Sequence, residues 1–315
     1  MSRILTALAT APTAVFSSTA ARVRELEGAD RVIRAPLSLS HRIAFAQLTG
    51  GTGASTVSAA VASLLAHRRP GPVLGVNASG GTRTLLWQVG ATADDPLHTP
   101  VTTPDARRLR PTSFADASAS LHRAASGLYT LDVRAPGSGI AATESDWATP
   151  VAPITRFFDA VCTDWGVRRP ELDLGGVAAG SHAVCLVARG DRSSLEEAVA
   201  VADALRALEN RPHVVVAAVD LGDTAGRAPE AVRWGAGSVI IRVPFDPARS
   251  SAAPVSSDRL SSRSRLALTR LAAELMPRVR SAAQSAPAAA GRTLDPTPVA
   301  AAVVSRSRAR RGVDA

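Results

Sequence analysis

The sequence predicts an α/β protein: a doubly wound, mostly parallel sheet with helices on both faces. Three observations carry that expectation. Near-continuous apolar runs recur along the chain and alternate with segments of helical periodicity, as a sheet covered on both sides requires. The stretch Arg42 to Gly81 reads as strand, glycine loop, helix, turn and strand. Polar residues suited to ligand binding follow the apolar runs, which places them at the carboxyl edge of a parallel sheet, where ligands bind.

Composition sets the frame. The 315 residues suffice for one sizeable core with appendages, and 46% of them are apolar with only 3% aromatic, so Ala and Val fill much of the interior. Net charge is +9, and all 36 basic residues are arginine. An arginine excess favours anionic partners, and a plain basic surface accounts for it equally well. Cys162 and Cys185 sit in apolar runs and read as buried thiols, not as a disulfide framework. His41, His67, His98, His122, His182 and His213 show no metal-ligand spacing. No apolar run is long enough to span a bilayer. The start of the chain, with Arg3 and an apolar stretch broken by Pro12, faintly resembles a signal peptide and is better read as a tail, which gives a cytoplasmic expectation.

In order, residues 1–40 read as an N-terminal extension with a short charged helix from Ala20 to Val32, ended by Pro36. Residues 41–280 read as the one folded domain. Ile43, Phe45 and Leu48 mark its first strand; Val57 to His67 its first helix; Val73 to Val76 the next strand. Leu85 to Val89 is a short apolar segment, and Ala91 to Ser113 a long polar loop. Phe114 to Ala125 is expected as a helix, Gly127 to Val133 as a strand and Ala135 to Thr149 as a loop. Ala160 to Thr163 is expected as a strand finishing in Asp164. Strands over His182 to Ala188, His213 to Val219 and Ser238 to Val243 follow, with helices over Leu195 to Leu208, Ala228 to Trp234 and about Asp258 to Val279. Residues 281–315, rich in Ala, Pro and Ser with Arg306, Arg308, Arg310 and Arg311, read as a disordered basic tail.

Gly50, Gly51 and Gly53 lie between strand and helix, and Ser55 and Thr56 open the helix. Glycines let backbone N–H groups approach an anion, and the helix N-terminus adds the positive end of its dipole. The phosphate-loop pattern G-x-x-x-x-G-K-[ST] is incomplete: its lysine slot holds Ala54 and its first glycine slot Leu48. Further on, Asp164-Trp165-Gly166 after an apolar strand has the form in which an acid holds Mg²⁺ and a glycine N–H senses phosphate. That pattern is unspecific by itself, and a strand-ending turn explains it too.

TGGTGAST, VLGVNASGG, FDAVCTDWG and VPFDP, in this order, resemble the MinD/ParA group of P-loop ATPases over roughly Arg42 to Val279. Arg34-Ala35-Pro36-Leu37 and Val243 to Pro247 are similar to segments of actinobacterial members linked to type VII secretion, and the loop ending resembles CpaE-like proteins. The resemblance implies a nucleotide site of Gly50, Gly51, Thr52, Gly53, Ala54, Ser55, Thr56, Asn77, Asp164, Pro244 and Asp246, with Ser55 and Asp164 as Mg²⁺ ligands and ATP as the nucleotide. It also locates departures. The lysine that reaches a partner's nucleotide falls on Thr49, the phosphate lysine on Ala54, and two acids after the second strand on Asn77 and Ser79. Losing one electrostatic donor costs about 2.7–4 kcal/mol of transition-state stabilisation, so hydrolysis is expected to fail, leaving either weak ATP and Mg²⁺ binding or an empty site kept as a fold element. Arg83 is the one arginine named as a substitute cation. The expected function is a pseudo-ATPase regulating or scaffolding a membrane-linked assembly through protein partners, peripheral to the cytoplasmic membrane. The alternative is a slow ATPase that forms a homodimer on ATP to position cargo or DNA; nucleic acid binding through the tail comes third.

Overall fold

A computed structural model describes residues 20–91, 110–135, 138–222, 239–250 and 253–277. The chain enters through a helix over residues 20–34 (α1), which ends just before Pro36. Strand β1 (His41–Gln47), helix α2 (Ala54–Arg68) and strand β2 (Val73–Asn77) form the predicted opening unit. Two short helices follow, α3 (Leu85–Gln88) and α4 (Phe114–Ser118), then the small strand β3 (His122–Arg123) and β4 (Tyr129–Asp132). Next come α5 (Glu144–Thr155), β5 (Ala160–Val167), α6 (Leu174–Ala179), β6 (Ala183–Arg189) and α7 (Arg192–Arg206). Strands β7 (His213–Val219) and β8 (Val239–Val243) and helix α8 (Ser262–Leu275) complete the described elements.

The eight strands form one sheet in the order β3-β4-β2-β5-β1-β6-β7-β8. Every pairing is parallel except β3 with β4. Alternate side chains of each strand enter separate layers. Ala44, Ala46, Val161 and Trp165 pack under α5, α6 and α7 with Val151, Leu174 and Leu195. Ile43, Phe45 and Cys162 pack on the other face against α2 and α8 through Val57, Val61, Leu65, Leu268 and Leu271. Burying each such large side chain stabilises the fold by about 1.5–3 kcal/mol, which is why the strands read as continuous apolar runs. The expected fold class is the one observed, and both cysteines are buried free thiols. Among the described residues no helix is long and apolar enough to cross a membrane.

Several boundaries differ from expectation. Phe114 to Ala125 is helical only to Ser118; the chain then turns into β3, and Gly127, at φ 84°, closes a hairpin onto β4. The expected loop from Ala135 to Thr149 already contains the start of α5, set by a capping box between Thr143 and Asp146, and the helix accommodates Pro150 and Pro153. Strand β5 continues past Asp164 to Val167. The last helix begins at Ser262 behind its cap Ser261, not at Asp258, and ends at Leu275. Helix α6 was not anticipated. The expected helix Ala228 to Trp234, the basic tail and most of the loop Ala91 to Ser113 lie outside the described residues.

The second half of the N-terminal segment packs on the domain. Ile33 is fully buried against the α2 and α8 layer. Arg69, whose guanidinium is enclosed, donates to the carbonyls of Ile33 and Ala35 and to Asp159 at 2.8 Å. Arg270 pairs with Glu25 across α8 and α1.

At the opposite edge from the glycine loop, His41 and His182 stack at 5.3 Å. His41 Nε2 donates to the Leu275 carbonyl at 2.9 Å, and His182 Nδ1 accepts from the Arg42 amide. Burial pushes the His41 pKa down to about 4; the bond to Leu275 opposes this, while His182, Arg69 and His213 add to it. Its folded pKa lies below the unfolded one, so the neutral ring's contribution is present above pH 6.5 and lost as pH falls toward 4. We expect unfolding free energy to drop by roughly 3 kcal/mol more over that window in the native chain than in His41→Gln. Urea melts at pH 7 and pH 4 measure this, and parallel pH profiles for the two proteins would refute it.

Candidate functional site

The glycine loop leaves β1 and re-enters as α2. Gly51 at φ 77° and Gly53 at φ 94° occupy the left-handed region that side chains disfavour, and they turn the chain onto the helix axis. Gly53 caps α2 without a side chain, so the first helical N–H groups face outward. One of them is already engaged. The Gln47 side-chain oxygen accepts from the Thr52 hydroxyl at 2.5 Å and from the Ala54 amide at 3.4 Å. Thr52 is buried and also lies 3.1 Å from the Val187 carbonyl. The Ala54 methyl is buried within the α2-side core and brings no charge to the loop.

The carboxyl side of the site is built on a β-bulge. Phe45 pairs with Asp164 and Ala46 with Gly166, so Trp165 is the extra residue on β5. Gly166 has φ 65°, and a Cβ there would lie 2.7 Å from that of Ser79. The D-x-G segment is thus neither a strand end nor a turn: it is a bulge inside a strand that brings Ser79 onto the acid. Asp164 is fully buried. Its Oδ2 accepts from Ser79 Oγ at 3.0 Å and its Oδ1 from the Gly166 amide at 3.1 Å, and the Ser55 hydroxyl bonds to the same carboxyl. Burial raises its pKa, with those hydrogen bonds opposing.

The network extends outward. Asn77, also fully buried, accepts from Ser79 Oγ at 2.9 Å and donates to Asp132 at 3.1 Å. Asp132 takes a forked bond from Arg134, at 2.7 Å and 3.0 Å, and Arg134 donates to the Gly81 carbonyl at 2.8 Å. Ser79 Oγ carries one proton yet sits within 3.0 Å of two acceptor oxygens. That single proton is shared between Asn77 Oδ1 and Asp164 Oδ2, which ties the two side chains together through Ser79.

In front of the loop lies a cleft of about 360 Å³ lined by Gln47, the loop, Gly80 to Arg83, Trp87, Gln88 and Arg249. It falls within the roughly 300–1,000 Å³ of small-ligand sites. Of the expected site residues, Gly51, Gly53, Ala54, Ser55 and Thr56 line it; Ser55 and Asp164 are brought together as the Mg²⁺ assignment requires. Gly50, Thr52, Asn77, Asp164, Pro244 and Asp246 are not among the described lining. Asp246 is buried and accepts from the amides of Ala248 and Ser261 at 3.1 Å and 2.8 Å. Burial opposes its charge, and bonds from Ser264 and Ser261 outweigh burial and hold its pKa low. Its geometry anchors the approach to α8. Sequence reasoning missed Gln47, Asp132, Arg134 and Arg249; the one available signal was a polar Gln closing an apolar strand directly before the glycines.

The sheet order and the glycine loop between β1 and α2 define a P-loop NTPase fold. Solved structures specify it further. The cell-division ATPase MinD of Pyrococcus furiosus matches with a TM-score of 0.53 at 20% identity, over 75% of this chain and 98% of that one. A chain of the MinC:MinD cell division complex of Aquifex aeolicus matches at 0.53 and 18%, over 73% and 94%. An ATP complex of Cyanothece McdA matches at 0.52 and 13%, over 78% and 100%. The protein has the MinD/ParA form of the fold. No protein-family model and no curated protein matches the sequence.

The bulge geometry carries a test. Gly166→Ala places a methyl against Ser79 and forces a left-handed φ, so it should destabilise by about 2–3 kcal/mol. A urea midpoint equal to that of the native chain would disprove the need for glycine there.

Proposed function

We propose that the protein is a MinD/ParA-like pseudo-ATPase: it keeps the nucleotide-binding architecture, binds ATP weakly at most, and does not hydrolyse it. One observation carries this reading. The groups that would act on a phosphate are bonded to each other: Gln47 occupies the Ala54 amide, and Ser79 and Asn77 enclose Asp164. Phosphoryl transfer needs preorganised charge, and neither Ala54 nor Thr49 supplies any. Bound Mg²⁺ would contribute charge neutralisation between phosphate oxygens, and Ser55 and Asp164 are the oxygen donors that fit it. To bind it, Asp164 must give up its bond from Ser79, which weakens the site further.

Without turnover, the protein acts through contacts. The structural relative from Aquifex aeolicus is a complex with MinC, which supports a protein partner as the output. The similarity of Arg34-Ala35-Pro36-Leu37 and Val243 to Pro247 to type VII secretion-linked proteins supports a regulator or scaffold of such a membrane-linked assembly. A slow ATPase that dimerises on ATP is the second reading, favoured by the arginines at the cleft.

We expect titration with a fluorescent ATP analogue to give weak saturation that changes little with Mg²⁺, and no ADP release above a protein-free control. Mg²⁺-dependent ADP release abolished by Asp164→Ala would overturn the pseudo-ATPase reading. Light scattering at saturating ATP separates the second reading, which requires a dimer.

A further inference from the structure

We propose that Arg83 and Arg249 supply the positive charge this cleft lacks for want of lysine, so that it holds the polyphosphate of a nucleotide between two guanidinium groups. The inference rests on reading the cleft as a nucleotide site and adds to it the residues that recognise the ligand. The geometry is specific. Both arginines line the cleft, Arg83 beyond the Gly80-Gly81 turn and Arg249 beyond β8, and its described lining contains no carboxylate. Arg249 comes from the turn after β8, is half-buried, and makes one long bond of 3.5 Å, to the Thr56 carbonyl in the first turn of α2. Burial disfavours its charge, with Asp246 opposing, and neither it nor Arg83 has an ion-pair partner among the described residues. Arg83 lies 5.4 Å over the Trp87 ring, which holds the guanidinium at the cleft wall while leaving its N–H groups free.

Two like charges converging on one concave surface raise each other's energy, and an anion lowers it. The cleft walls focus that field at the N-terminus of α2, whose outward N–H groups add to it. Guanidinium forks bond phosphate oxygens in pairs, so the expected occupant is a di- or triphosphate group, not a cation or a neutral ligand. On the outer side of the loop, the Arg189 guanidinium lies 3.8 Å from where a Gly51 Cβ would sit and extends the same positive field.

The test is isothermal titration of the full chain with inorganic triphosphate and with ATP. Arg83→Gln and Arg249→Gln should each weaken triphosphate binding about tenfold, and Arg249→Lys less, with melting temperatures unchanged. If Arg249→Gln does not fold, Arg83→Gln, at an exposed position, decides alone. Affinities within twofold of native in the folded variants would overturn the proposal, as would a native chain that binds neither probe. ADP release assayed on the same native sample reports only on the pseudo-ATPase reading: turnover would sink that reading and leave an arginine-dependent affinity standing.

Discussion

Asp164 is a carboxyl group with no exposure to water, and the carboxyl edge of the sheet is arranged around satisfying it. An unpaired buried carboxylate is costly enough that a protein either neutralises it or surrounds it with donors. Here both occur. The bulge at Trp165 turns the Gly166 amide onto one oxygen, and the absence of a side chain at Gly166 admits Ser79 to the other. Ser79 in turn fixes Asn77, Asn77 fixes Asp132, and Arg134 carries the chain of bonds to the Gly81 carbonyl. The ends of β2, β4 and β5 and the Gly80-Gly81 turn are thereby one rigid unit, and that unit forms one wall of the cleft.

The opposite wall, the glycine loop, is closed by the same device. Gln47 places a neutral oxygen where Thr52 and Ala54 can donate to it. The loop keeps its shape without a ligand, and a ligand must displace a bond already made. The contrast with the arginines is direct. Inner polar groups are satisfied by one another, whereas Arg83 and Arg249 at the mouth form no ion pair among the described residues, although Asp246 favours the Arg249 charge. A site satisfied within and positively charged at its mouth favours docking of an anion over chemistry upon it.

Most of the architecture was legible in the sequence, for a physical reason. Strands buried on both faces carry no alternation and cannot be mistaken for surface segments, so β1, β2, β6 and β7 fall within about two residues of their expected positions, as does the edge strand β8 with its apolar run. Errors fall where local signals compete. Ser113 and Asp116 do cap a helix, but Gly127 reverses the chain into a hairpin whose pairing with β4 outweighs the propensity of Ser118 to Ala125. The Gly, Ser and Thr content of residues 135–149 reads as loop, yet Thr143 and Asp146 form the box that starts α5. The loop and Asp164 could be read as motif residues. Gln47 and Arg249 could not, because what matters is where their side chains point, and Asp246 shows the reverse: a motif position whose bonds are those of a helix anchor.

The departures from the MinD/ParA pattern are coupled by electrostatics. Acids at positions 77 and 79 would stand beside Asp164 and Asp132, four carboxyl groups linked through contacts of about 3 Å. Such a cluster is tolerable only with cations to offset it, and Ala54 and Thr49 provide none. In a chain without lysine, acids at both positions would repel each other and Asp164, whereas Asn77 and Ser79 turn those contacts into donor–acceptor pairs. The neutral set at Ala54, Asn77 and Ser79 therefore behaves as a single self-consistent arrangement. Acids at 77 and 79 would break that network, so the neutral pair suits a cleft whose glycine loop carries no charge of its own.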